Sequence, residues 1–112
     1  MLTPKEVAEK HLTAVKDGDP FLMAQDYAQD ALLVRGGDVF SGKSEIFDYF
    51  NGVPERMGSG VIDFLELEVN GNDVSFLWKI TDNEKIISGK DKMTIQNGLI
   101  QHQEVTLLTE DF

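Results

Sequence analysis

The sequence predicts an α+β domain in which three N-terminal helices pack against a curled antiparallel sheet. Apolar residues in the first half recur at three- and four-residue steps, as on the buried side of a helix. From residue 61 onward they alternate with polar residues, as in strands. The chain has 112 residues and 41% hydrophobic composition, which suits one core. We therefore expect a single domain over residues 1–112.

Three helices are predicted before residue 53. The first begins with a capping Thr3 and with Pro4 at its first position, and it ends at the turn of residues 17–20. The second is short and continues to about Ala28, and the third spans residues 44–52. The first and third helices each have an apolar side, which each is expected to bury.

The rest of the pattern predicts five strands. A short strand begins at Ala31 and is closed by the glycines that follow Arg35. Four longer strands then form an antiparallel run over residues 61–69, 73–81, 86–95 and 99–108. Asn-Gly pairs at residues 70–71 and 97–98 mark two of the turns between them.

Charge and composition exclude several classes of function. The 20 acidic and 10 basic residues give a net charge of -10, which disfavours nucleic acid and anionic membranes as partners. Cysteine is absent, two histidines lie far apart, and there is no glycine-rich phosphate loop, so we expect no metal and no cofactor. No apolar run is long enough to span a membrane, and the expected location is the cytoplasm.

Asp91 stands out in the strand over residues 86–95. Alternation places it on the face of Ile87, Gly89, Met93 and Ile95, which is the apolar face. A buried carboxylate is costly unless it gains a proton or a cationic partner, so Asp91 is a candidate site residue. The alternative is a structural ion pair that anchors Arg35.

Three phrases, DYAQDALLV, FSGKSEIFDYF and IQNGLI, occur in an order that resembles the nuclear transport factor 2-like superfamily, particularly its SnoaL-like and ketosteroid isomerase-like members. The resemblance covers nearly the whole chain. It implies a cone-shaped α+β barrel of the cystatin-like type around an apolar cavity, without fixing one reaction.

The resemblance also implies site residues. It places His11 where the isomerases have a tyrosine on the first helix, Asp91 at their protonated aspartate, and Arg35 at their proton-abstracting aspartate. An arginine cannot act as that base, so the known isomerase reaction is not expected. Asp91 and His11 are the predicted catalytic pair, although His11 could equally be a core histidine bonded to the backbone.

Five further residues are predicted to contact a ligand. If Arg35 points inward, it would favour a ligand that carries a carboxylate. Asp63 either faces inward or caps the start of its strand. The five candidates are Arg35, Gln103, Trp78, Tyr27 and Asp63.

Two functions remain open at this stage. One is a cavity protein that binds a small apolar or carboxylate-bearing ligand, as an isomerase, cyclase or hydrolase that uses proton transfer. The other is a non-catalytic dimeric module with a filled cavity. Apolar residues predicted on the outer sheet face favour a homodimer in either case: Ile62, Phe64, Leu77, Ile86, Ile100 and Leu108.

Overall fold

The computed structural model describes residues 2–58, 60–83 and 85–109. Within these ranges, four helical segments and six strands follow one another along the chain. The helices are α1 (Pro4–Asp17), α2 (Pro20–Gln25), α3 (Gly42–Asn51) and α4 (Val53–Met57). The strands are β1 (Tyr27–Arg35), β2 (Asp38–Ser41), β3 (Val61–Asn70), β4 (Asp73–Asp82), β5 (Lys85–Gln96) and β6 (Leu99–Leu107).

The strands form one curled sheet in the order β2-β1-β6-β5-β4-β3. The predicted α+β class and the antiparallel run β3 to β6 are confirmed. The sheet is mixed, however, because β1 pairs with β6 in parallel. A pairing between the first and last strands is non-local, so the alternation within each strand could not reveal its direction.

The first helix begins as the sequence predicted. The Thr3 side chain accepts a hydrogen bond from the Glu6 N–H, and the Glu6 side chain accepts one from the Thr3 N–H, which together make a capping box. Gly18 ends the helix in the left-handed conformation, with φ of 71°. These local signals fix where α1 begins and where it ends.

The boundary between α2 and β1 differs from the prediction. The helix ends at Gln25 rather than Ala28, and the strand begins at Tyr27 rather than Ala31. Tyr27 pairs with Ile100 of β6, and the Ile100 N–H donates to the Asp26 carbonyl. Tertiary pairing therefore overrides an apolar spacing that fits a helix equally well. The short strand β2, which pairs antiparallel with β1, was not predicted.

The core lies between the inner face of the sheet and the helices. Strand β4 shows it most clearly, since Val74, Phe76, Trp78 and Ile80 are all buried while their neighbours are not. Against them pack the apolar residues of α1 and α3, including Val7 and Ile46.

Strand β3 is oriented opposite to the prediction. Ile62 and Phe64 pack against the core, whereas Val61, Asp63 and Leu65 are exposed on the outer face. Both faces of this strand are rich in apolar residues, so alternation did not distinguish them. A bulge after Leu65 then reverses the alternation for the remainder of the strand.

Other residues predicted on the outer face divide in the same way. Ile100 is fully buried, which contradicts its predicted exposure, while Ile86 and Leu108 are more than half exposed. In the part of the chain that the structure describes, none of the helices has the length and apolar character needed to cross a membrane.

Candidate functional site

A cavity of about 60 Å³ lies between α1, α3, α4 and the inner face of the sheet. Its wall is mainly apolar, and Leu12, Met57, Ile62 and Phe64 are half-buried where they border it. The polar side chains in the wall are His11, Tyr49, Trp78, Asp91 and Gln103. Ligand pockets commonly measure ~300–1,000 Å³, so the cavity as it stands holds a few water molecules or a very small ligand.

Asp91 is buried in this wall, on the central strand β5. Its Oδ1 accepts a hydrogen bond of 2.9 Å from Nε1 of Trp78, and its Oδ2 accepts one of 2.7 Å from Nε2 of Gln103. Burial raises the pKa of Asp91 to about 6, although both hydrogen bonds and the charge of His11 act in the opposite direction. The carboxyl group can therefore gain or lose a proton close to neutral pH.

A glycine makes the contact between Trp78 and Asp91 possible. Gly89 lies directly opposite Trp78 on the neighbouring strand, and a Cβ atom at residue 89 would come within 2.3 Å of the indole. The ring therefore lies over the bare backbone of β5, and its N–H reaches Asp91 two residues further along. A glycine in the middle of a strand often marks such a close approach. Gly89 was therefore the sequence signal for the contact between Trp78 and Asp91.

Tyr27 and His11 extend the polar network beyond Gln103: Tyr27 lies behind the cavity wall, and His11 is part of that wall. The Tyr27 hydroxyl donates to Oε1 of Gln103, and it lies 3.5 Å from Nε2 of His11. Burial, assisted by the negative charge of Asp91, raises the pKa of Tyr27 well above its ordinary value. Tyr27 is therefore a neutral hydroxyl donor at physiological pH.

Asp26 completes the network, and sequence reasoning missed it. It is buried at the end of α2, with Oδ1 3.1 Å from Nζ of Lys10 and Oδ2 3.5 Å from Nδ1 of His11. The second contact is an ion-pair distance without hydrogen-bond geometry, since neither atom has a hydrogen-bond partner among the described residues. A helix predicted to continue through residue 28 gave Asp26 no special position.

Two of the predicted ligand-binding residues lie apart from this network. Arg35 shares the inner face with Ala31 and Leu33, but it lines a separate groove of about 510 Å³ at the ends of β1 and β6. Nε of Arg35 is buried, and the charge of Arg35 opposes the rise that burial causes in the pKa of Tyr49. Asp63 is exposed opposite Lys79, which excludes the inward-facing one of its two predicted alternatives.

The structure thus brings together five of the seven predicted residues and adds one. His11, Tyr27, Trp78, Asp91 and Gln103 are connected side chain to side chain, and Asp26 continues the chain towards Lys10 at the surface. Asp91 can exchange a proton with a molecule in the cavity, and the ring of His11 borders the same cavity. Within the described residues, no group of three side chains has the arrangement of a metal site.

The sheet order and the cavity enclosed by N-terminal helices define an α+β fold of the nuclear transport factor 2-like type, as the sequence predicted. No family model matches the sequence, and no curated protein matches it. The likeness to solved structures covers most of the chain at low identity, and it therefore establishes the fold alone.

Three solved structures illustrate the likeness. A provisionally named ketosteroid isomerase from Kribbella flavida has a TM-score of 0.83 and 14% identity, over 97% of this chain and 79% of that chain. A nuclear transport factor 2-like protein of unknown function from Burkholderia xenovorans has a TM-score of 0.80 and 18% identity, over 97% and 84%. A provisionally named polyketide cyclase from Sinorhizobium meliloti has a TM-score of 0.78 and 20% identity, over 89% and 93%.

Proposed function

We propose that this protein binds a small, mostly apolar ligand in the cavity and exchanges a proton with an oxygen or carbon atom of that ligand through Asp91. The observation that carries the proposal is the position of Asp91, a buried carboxyl group in a wall that is otherwise mainly apolar. Perturbed carboxyl groups in cavities are typical of functional sites.

The protonation behaviour of Asp91 fits proton transfer. Burial raises its pKa to about 6, and proton transfer is most efficient when the pKa of the catalytic group is near the working pH. In its ionised form Asp91 accepts a proton or a hydrogen bond, and in its protonated form it donates one. Solved structures of the same fold named as a ketosteroid isomerase and a polyketide cyclase support the choice of this class of chemistry.

The size and charge of the cavity limit the ligand. An engineered cavity of ~150 Å³ holds benzene, so a ring-sized ligand requires the half-buried border side chains to move, and the flexible Met57 is suited to this. The ligand is proposed to be neutral, because Arg35 lines another groove and an ionised Asp91 repels a carboxylate. The earlier expectation of a carboxylate-bearing ligand required Arg35 inside the cavity.

A thermal-shift experiment with matched probes tests this function. Phenol and cyclopentanol are compared with toluene and methylcyclopentane, which have similar shapes without the hydroxyl group, and with benzoate. A ligand at a hundred times its Kd stabilises a protein by ~2.7 kcal/mol, which raises the Tm of a domain of this size by several degrees. We expect the hydroxyl compounds to raise the Tm most.

The same screen on two variants identifies the group that is responsible for the preference for hydroxyl compounds. Asp91→Asn should remove the advantage of the hydroxyl compounds, while Asp63→Asn, at an exposed carboxylate on β3, should retain it. Equal shifts with the hydroxyl and hydrocarbon probes, or the same pattern in Asp91→Asn, would contradict a role for Asp91 in ligand binding.

A second function is favoured by the small volume of the cavity. Only about 60 Å³ is left open because the protein's own side chains fill most of the site, as expected of a binding module without chemistry.

We propose that in either case the protein forms a homodimer through the outer face of β3, β4 and β5. Leu65 lies opposite Leu77 there, and Val61 and Ile86 are exposed on the same face, beyond the row of Asp63, Lys79 and Ser88.

A further inference from the structure

The buried polar network has a direction that follows from counting hydrogens. Nε2 of Gln103 donates to Asp91, so its Oε1 is left to accept, and it receives the single hydrogen of the Tyr27 hydroxyl. The reverse orientation of the amide would place its oxygen against an ionised carboxylate. The oxygen of Tyr27 therefore faces Nε2 of His11 with lone pairs only, and the contact is attractive when Nε2 carries a hydrogen.

The contact of Nδ1 of His11 with Asp26 requires a second hydrogen. A neutral imidazole has one N–H, and here that hydrogen is on Nε2. Nδ1 would then face Oδ2 of Asp26 at 3.5 Å with a lone pair against a carboxylate. Both atoms are buried, and neither has a hydrogen-bond partner in the described part of the chain. One proton between them removes the repulsion and also removes the net charge of the buried pair.

We propose that His11 and Asp26 together hold this additional proton, and that the pair is the acid that complements Asp91 in the cavity. His11 lines the cavity and is the group that would touch a ligand. Asp26 does not line that cavity, so it is a positioning residue that acts through His11. This inference rests on the proposed function for its catalytic meaning, but the proton count itself concerns the free protein.

The protons of such a reaction balance within the site. Asp91 takes one proton from the ligand, and Nε2 of His11 gives one to another atom of the same ligand, so the ligand is isomerised without net gain or loss. Asp91 is then neutral and the His11–Asp26 pair carries one negative charge. Return of one proton from Asp91 to the pair restores the starting state. Lys10, whose side chain is 57% exposed, gives Asp26 a contact at the surface where protons can exchange with water.

The surroundings of His11 assign this role to Asp26. The ring packs edge-on against Tyr27 of β1 and Phe50 of α3, with centroids 5.3 and 5.4 Å away. Asp91 of β5 acts on it through its charge. Among the described residues, Asp26 is the carboxylate within ion-pair distance of the ring, and Lys10 lies beyond it.

Nitrogen-15 NMR of the ligand-free protein at pH 7 tests the inference. The chain has two histidines, so His102→Gln leaves the ring signals of His11 alone. We expect hydrogens on both ring nitrogens, or one on Nε2 and one on the Asp26 carboxyl group, which exchange slowly because the site is buried. A total of one hydrogen on the His11 ring and the Asp26 carboxyl group together, in place of two, would overturn the inference.

Substitution of Asp26 tests its positioning role. In Asp26→Asn we expect one ring hydrogen on His11, whereas the matched control Asp30→Asn, at an exposed residue of β1, should keep the wild-type spectrum. Hydrogens on both ring nitrogens of His11 in Asp26→Asn would refute the role of Asp26. Failure of phenol to bind, with both hydrogens present, would instead count against the proposed function and leave this inference standing.

Discussion

The pH dependence of stability should identify Asp91 as a carboxyl group that is costly to bury in its charged form. Its pKa is raised from 3.8 to about 6 in the folded protein. A group with a raised pKa binds its proton more tightly in the folded state, so its contribution to stability is fully present below pH 3.8 and is lost as the pH rises through 6. One pKa unit corresponds to ~1.36 kcal/mol, so this shift amounts to about 3 kcal/mol.

The measurement compares wild type with Asp91→Asn, which does not titrate. Groups that do not interact with Asp91 titrate equally in both proteins, so the difference between their free energies of unfolding reports Asp91 and the groups coupled to it. Urea denaturation at pH values from 3 to 8 should show wild type losing about 3 kcal/mol relative to the variant over this range, mostly between pH 4 and 6.

Asp63→Asn removes an exposed carboxylate and should leave the pH dependence of wild type unchanged within ~0.5 kcal/mol. A difference between wild type and Asp91→Asn that is constant with pH, or that grows in favour of wild type as the pH rises, would refute the argument that burial raises the pKa of Asp91.

Two further predictions concern packing and assembly. Gly89→Ala should lower the free energy of unfolding by ~1–3 kcal/mol and change the fluorescence of Trp78, the single tryptophan, because the new Cβ overlaps the indole. Ser88→Ala is the control. An unchanged spectrum and stability in Gly89→Ala would show that the ring does not lie over residue 89. Leu65→Glu should shift the protein from dimer to monomer in analytical ultracentrifugation, while Val39→Glu, at an exposed position on β2, should not; a wild-type monomer at micromolar concentration would contradict the dimer.

The part of the site that could be predicted from sequence depends on strands with one apolar face. In β5 the alternate residues are lysines, serine and threonine, so the inner face was clear and Asp91 lay on it. In β3 both faces carry large apolar residues, and the choice between them is made by packing against α1 and β4, which no local pattern encodes. For that reason the sequence left the inward direction of Asp63 open.

Asp26 illustrates a different limit. Its burial depends on where α2 ends, and that end is set by the pairing of Tyr27 with Ile100, more than seventy residues later in the chain. Neither the helical spacing nor the strand alternation around residue 26 contains this information. The connection of His11 to Tyr27 and Gln103 likewise requires the parallel pairing of β1 with β6.

The most direct test of the central claim is a carbon-13 NMR titration of the Asp91 carboxyl group, in the free protein and with phenol or toluene present. We predict a midpoint near 6 in the free protein, which phenol lowers because its hydroxyl donates to the ionised carboxylate and which toluene does not lower. A midpoint in the ordinary range of aspartate would contradict the account of Asp91 as the proton-exchanging group of a ligand cavity. So would a midpoint that neither probe changes, or that both probes change equally.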